Sequence, residues 1–121
     1  MREVTAAKSY KQLIVWQKSI ELVDEIYKIT KGLPADEKFG LISQMRRSAI
    51  SIPSNIAEGY KRRKRGEYLQ FLGMADASAA ELETQIIICK HNYSEVYCKH
   101  AEALLPEVQK MLFVLIQKLS N

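Results

Sequence analysis

The stretch Leu72-Gly73-Met74-Ala75-Asp76-Ala77-Ser78-Ala79-Ala80-Glu81-Leu82-Glu83-Thr84-Gln85-Ile86-Ile87-Ile88-Cys89 decides the fold. Leu72, Ala75, Ala79, Leu82, Ile86 and Cys89 follow one another at alternating steps of three and four residues, the spacing that aligns side chains along one face of an α-helix. An alternation sustained this long is the seam of a helix bundle. Its first half, Gly73 to Ala80, is mostly Gly, Ala and Ser, side chains small enough to let a neighbouring backbone come close.

Upstream, Ile42, Met45, Ala49, Ile52 and Ile56 repeat the same alternation and define a second helix. Asp36 is placed to cap it or to sit in its first turn, and Gly59 suits the left-handed C′ position after its last turn, with Tyr60 beyond. Pro53 lies inside this pattern; it lacks an N–H and its ring crowds the carbonyl of Ala49, which predicts a kink or break near Ser51 to Ser54. The hydroxyls of Ser48, Ser51 and Ser54 are candidates to satisfy the freed backbone groups.

From about Lys11 to Lys31, Leu13, Trp16, Ile20, Val23, Tyr27 and Thr30 form the main stripe of a first helix, with Leu22, Ile26 and Ile29 beside it. Gly32 to Ala35 end it. Asn92 to Glu95 make a turn, and a fourth helix runs from Val96 or Lys99 to Leu119, carrying Ala101, Leu104, Val108, Met111 and Leu115 alongside Leu105, Leu112 and Leu119. Pro106 marks the first turn of that helix if it starts later.

The fold expected is therefore all-α, an antiparallel up-down-up-down four-helix bundle with short connections. It fills one domain of 121 residues, with residues 1–10 as an N-terminal tail. With 5 Gly and 3 Pro there is little turn chemistry for a many-stranded β fold. Apolar surface on helices one and four exceeds what one seam needs and points to self-association; a single-chain bundle with a generous core competes with it. No apolar run is long enough to cross a bilayer and Met1 to Tyr10 has no signal-like apolar core, so a cytoplasmic protein without a membrane partner is expected.

The formal net charge is +4, from 18 Lys and Arg against 14 Asp and Glu. Without Lys61, Arg62, Arg63, Lys64 and Arg65, 13 basic residues face 14 acidic ones, so the whole excess sits in one run between helices two and three. Five adjacent like charges raise the local potential, and phosphates relieve it: Lys and Arg release condensed counterions, and Arg grips phosphate through its planar fork. Lys61, Arg62, Arg63, Lys64 and Arg65 are the candidate nucleic-acid contacts, with Arg46 and Arg47 divided between phosphate and structural ion pairs to Glu81 and Glu83. Tyr60 and Tyr68 flank the run and are placed to stack on unpaired bases.

Other chemistry is poorly supported. Cys89 with His91, and Cys98 with His100, resemble two arms of a zinc site, but residues two apart on a helix point away from each other, and Cys89 belongs to the apolar seam. Both cysteines are read as thiols, and no metal or cofactor is assigned. Glu58, Glu81 and Glu83 lack the Glu-x-x-His partners of a di-iron bundle, no histidine neighbours the serines around Pro53, and no phosphate cradle or dinucleotide fingerprint occurs. A non-enzyme is expected.

Leu13-Ile14-Val15-Trp16-Gln17-Lys18, the stretch Gln44-Met45-Arg46-Arg47-Ser48-Ala49-Ile50-Ser51-Ile52-Pro53-Ser54-Asn55-Ile56-Ala57-Glu58-Gly59, and Glu81-Leu82-Glu83-Thr84-Gln85 resemble the four-helix-bundle proteins encoded within intervening sequences of bacterial 23S rRNA genes, also labelled S23. The similarity covers nearly the whole chain. It departs at Ala75-Asp76-Ala77-Ser78, where the family commonly has Ala-Arg-Gly-Ser, so a basic contact at that position is not carried over. The resemblance implies an antiparallel bundle assembled as a ring, a homopentamer similar in shape to the accessory proteins of diversity-generating retroelements. It implies no established activity; nucleic-acid binding is the usual proposal. The alternative is a protein-interaction scaffold that docks an acidic partner or a nucleic-acid enzyme such as a reverse transcriptase.

Overall fold

The structure, a computed structural model, describes residues 9–121. The expected N-terminal tail lies outside the described residues except for Ser9 and Tyr10. Four helices carry the fold: α1 (Ile14–Lys31), α2 (Ser43–Tyr60), α3 (Arg65–Asn92) and α4 (Lys99–Ser120), with no strand among the described residues. Helix α1 packs on α2 and α4, and α3 packs on the same two, so each helix has two main neighbours around one buried apolar cluster. All six residues of the α3 seam are buried.

In α1 the fully buried centre is Leu22 and Ile26, flanked by Val15, Ser19, Ile29 and Thr30, while Trp16, Ile20, Val23 and Tyr27 are half-buried. Of the expected main stripe only Leu13 and Thr30 are buried, and its companion stripe, Leu22, Ile26 and Ile29, is buried throughout. Periodicity finds both stripes, but only the positions of α2 and α4 decide where the middle of the buried arc falls.

The break expected near Ser51 to Ser54 does not occur: α2 is helical from Ser43 to Tyr60 with Pro53 buried inside it. Asn55 Nδ2 donates to the Ser51 carbonyl at 2.8 Å and to Ser51 Oγ at 2.9 Å, and Ser51 Oγ pairs with Ser78 Oγ of α3 at 2.8 Å. Ser48 Oγ, expected to serve a backbone group, is buried without a hydrogen-bond partner. The irregularity lies before α2 instead, in a wide turn at Lys38–Ile42 where Gly40 leaves helical geometry (φ −112°, ψ −111°). There Glu37, rather than Asp36, accepts from a backbone amide, that of Leu41 at 3.1 Å.

Gly59 is not a left-handed cap; no glycine among the described residues has positive φ. It is buried in the last turn of α2, where a Cβ would lie 2.8 Å from Phe71 Cβ and 3.0 Å from Tyr68 Cδ1. The missing side chain lets α3 come that close, and α2 with α3 is the most extensive helix pair. Helix α3 begins at Arg65, before Gly66, and α4 begins at Lys99, which puts Pro106 inside that helix and not in its first turn.

Candidate nucleic-acid interface

The end of α2 and the start of α3 hold the basic run on a short turn. Lys61 keeps right-handed backbone (φ −79°, ψ −7°) and Lys64 is extended (φ −98°, ψ 136°), so the chain reverses between them and Arg65 opens α3. All five side chains are exposed. Arg62 is engaged: its Nη2 donates to Glu58 Oε2 at 3.2 Å, and its guanidinium lies 4.7 Å from the Phe71 ring centre. Lys61, Arg63, Lys64 and Arg65 form no ion pair among the described residues. The corner therefore keeps four cations that no carboxylate neutralises at contact distance.

Beneath the turn runs a chain of edge-to-face rings: Trp16 to Tyr10 (5.5 Å between centres), Tyr10 to Tyr60 (6.5 Å) and Tyr60 to Tyr68 (6.2 Å). Tyr68 is 6% exposed and Tyr60 half-buried. The two tyrosines that flank the run in sequence are a packed floor under it, and Tyr68 offers no open face to a base.

Arg46 and Arg47 are not brought to this corner. Fifteen helical residues separate Arg46 from Lys61, about 22 Å at 1.5 Å each. Arg46 Nε donates to Thr30 Oγ1 at 2.8 Å, and its guanidinium lies 4.3 Å from the Tyr27 ring centre, so it clamps α2 to α1. Arg47 donates to Gln44 Oε1 at 3.0 Å within its own helix. The expected ion pairs to Glu81 and Glu83 are absent: Glu81 is exposed, and Glu83 accepts from Gln109 of α4 at 3.3 Å. Arg46 turns toward α1 because Thr30 and Tyr27 offer it a hydroxyl oxygen and a ring face together, a pairing sixteen residues away that no sequence spacing announces.

Cys89 and Cys98 are buried free thiols, His91 is exposed, and His100 Nδ1 lies 3.6 Å from Glu25 Oε1. No cluster of three or more His, Cys, Asp or Glu able to hold a metal occurs among the described residues. Among the described residues no helix is long and apolar enough to cross a membrane.

Residues 11–114 match the model of a protein family described as the 23S rRNA-intervening sequence protein. The chain belongs to that family. Among solved structures it is similar to a crystal structure of a protein with unknown function from the S23 ribosomal protein family of Bacteroides thetaiotaomicron VPI-5482. The TM-score is 0.75 at 26% identity, covering 86% of this chain and 96% of that one. Among curated proteins no relative matches. The family match takes in α1, α2 and α3 whole, and with them the basic turn.

Proposed function

We propose that this member of the 23S rRNA-intervening sequence family is a non-enzymatic, single-domain, oligomeric bundle of the cytoplasm that binds RNA or DNA through the α2–α3 turn. One observation carries the reading: Lys61, Arg63, Lys64 and Arg65 project from one turn with no ion-pair partner among the described residues. Phosphate oxygens would supply the missing counter-charge, with Arg62 adding to it once it leaves Glu58. Arg46 is assigned to the α1–α2 contact and Arg47 to an outlying phosphate.

The helices are proposed to run antiparallel, up-down-up-down. The pairs Thr30 with Arg46, Tyr10 with Tyr60 and Lys90 with Glu102 support this order, each joining late residues of one element to early residues of another or the reverse, and Glu83 with Gln109 continues the last pairing in antiparallel register. A homopentameric ring would repeat the basic turn around one axis. Self-association is supported by an open apolar groove of about 270 Å³ between α1 and α2, lined by Trp16, Ile20, Val23 and Ile50, and by Phe113 and Val114 exposed on α4.

The test is a fluorescence-anisotropy titration with a short labelled duplex at several salt concentrations. Four phosphate contacts give log affinity against log salt a slope of about −3.6 per engaged subunit. Binding that ignores salt, or that survives neutralising Lys61, Arg63, Lys64 and Arg65 together, overturns the proposal.

The burial of Tyr68 favours a second reading, since a basic turn without a stacking face serves an acidic protein surface equally well. In that case the chain is a scaffold for an acidic partner or for a nucleic-acid enzyme such as a reverse transcriptase. Recovery of one protein partner after nuclease treatment of the lysate distinguishes it.

A further inference from the structure

The open groove between α1 and α2 is walled by Trp16, Ile20 and Val23 of one helix and by Ile50 and Pro53 of the other. Trp16, Ile20 and Val23 are only half-buried and Ile50 is exposed, so a lone subunit keeps apolar surface in water that a covering partner would remove. Helix α4 carries the converse shape. Phe113 and Val114, 61% and 42% exposed, form an apolar ridge on its outer face. The main neighbours of α4 are α1 and α3, so ridge and groove belong to different sides of the bundle and meet only between two copies.

Charge selects the apolar patch that fits. Asp24, one helical turn beyond Ile20 on the α1 wall, is exposed and forms no ion pair among the described residues. Lys110, one turn before both Phe113 and Val114, is exposed and likewise forms none. The charges beside them are already engaged: Glu107 of α4 by Lys18 at 3.3 Å, and Arg47, one turn before Ile50, by Gln44 at 3.0 Å. A second copy that lays its α4 ridge in the groove can bring Lys110 to Asp24. The other exposed apolar pair, Ile87 and Ile88 of α3, has Glu83 one turn before it, which would set a carboxylate against Asp24. Two grooves packed face to face would bring two copies of Asp24 onto one interface.

We propose that the α1–α2 groove is a docking surface for a second copy of this chain, whose Phe113 and Val114 enter it while its Lys110 meets Asp24. The inference rests on the self-association read above and names the two faces that it uses. Because ridge and groove are different patches, the contact is heterologous: each subunit gives a ridge to one neighbour and takes a ridge from another, and the series closes as a ring where the rotation between neighbours allows. Every step of that ring adds one basic turn.

Light scattering of the full chain over a concentration series, with Trp16 emission recorded alongside, tests this. Expected is a mass of several chains, with emission moving to shorter wavelength as the ridge covers the indole on assembly. Phe113→Asp with Val114→Asp in one variant, and Ile50→Asp in another, change exposed side chains, so both should stay helical by circular dichroism and become monomers. Mixed, they should recover the mass of two chains and no more, since one keeps its groove and the other its ridge. Asp24→Lys and Lys110→Asp should each weaken assembly by about three- to tenfold, and the two together should restore it.

Variants that keep the wild-type mass overturn this pairing while leaving self-association standing, and a wild-type chain that is monomeric at every concentration overturns both. A mixture that stays monomeric, or a charge exchange that restores nothing, also overturns the pairing. Duplex binding per subunit, measured on the same variants, tests the basic turn separately.

Discussion

The Tyr93 hydroxyl donates to Glu37 Oε2 at 2.6 Å, joining the turn after α3 to the turn before α2 across 56 residues of sequence. The other carboxylate oxygen accepts from Leu41 N–H, so one side chain fastens two irregular segments. These hydrogen bonds hold the Glu37 carboxyl below its usual value of 4.5, the tyrosine bond contributing most, and the carboxylate in turn pushes Tyr93 up to about 12.

The sign of the pH dependence follows. A depressed carboxyl stabilises the fold above its unfolded pKa, and that contribution is lost as pH falls through the lower folded value. A raised phenol stabilises below the ordinary 10, and its contribution is lost as pH rises through about 12. Tyr93→Phe should lower the melting temperature by a few degrees at neutral pH. The gap from wild type should close as pH drops below the carboxyl's range, which a set of melts from neutral to acid will show.

Two glycines on facing helices should respond in opposite directions to the same change. Gly59→Ala places a Cβ 2.8 Å from Phe71 Cβ and should destabilise by about 1–3 kcal/mol, because backbone and core must move apart. Gly73→Ala, inside α3 with nothing within 4 Å of the added carbon, should stabilise by up to about 1 kcal/mol. Urea denaturation of both variants measures this, and equal effects would contradict the close α2–α3 approach.

Within the basic run the charges are not equivalent. Arg63→Gln, Lys64→Gln or Arg65→Gln should each reduce the salt slope of duplex binding by about 0.9, whereas Arg62→Gln should reduce it less. Glu58→Gln should strengthen binding at low salt, since it removes a nearby negative charge and releases Arg62. Anisotropy titrations across a salt series separate these outcomes.

Arg46 should behave as a structural residue. Arg46→Ala removes the hydrogen bond to Thr30 and the contact over Tyr27, and should cost about 1–2 kcal/mol of stability. Duplex affinity of the folded variant should stay within about twofold of wild type, a difference of about 0.4 kcal/mol. A stable variant with lost affinity would return Arg46 to the binding surface.

The α3 seam was legible because one repeating step, carried through six residues, admits a single solution. The α1 core was only half legible, since two stripes lie side by side and tertiary neighbours choose between them. Pro53 and Gly59 misled in related ways: local chemistry favours a break and a cap, but both are buried within a continuous helix, Pro53 beside the groove between α1 and α2 and Gly59 against α3. The charge run was visible as composition. That Arg62 is engaged by Glu58 and Phe71 while its neighbours are not depends on side-chain placement around one helical turn and its partner helix, which charge counting does not contain.

The row of rings from Trp16 to Tyr68 gives the molecule a built-in optical probe. The single indole of the chain stands 5.5 Å from Tyr10, at the foot of the cationic turn, so its emission reports on that end.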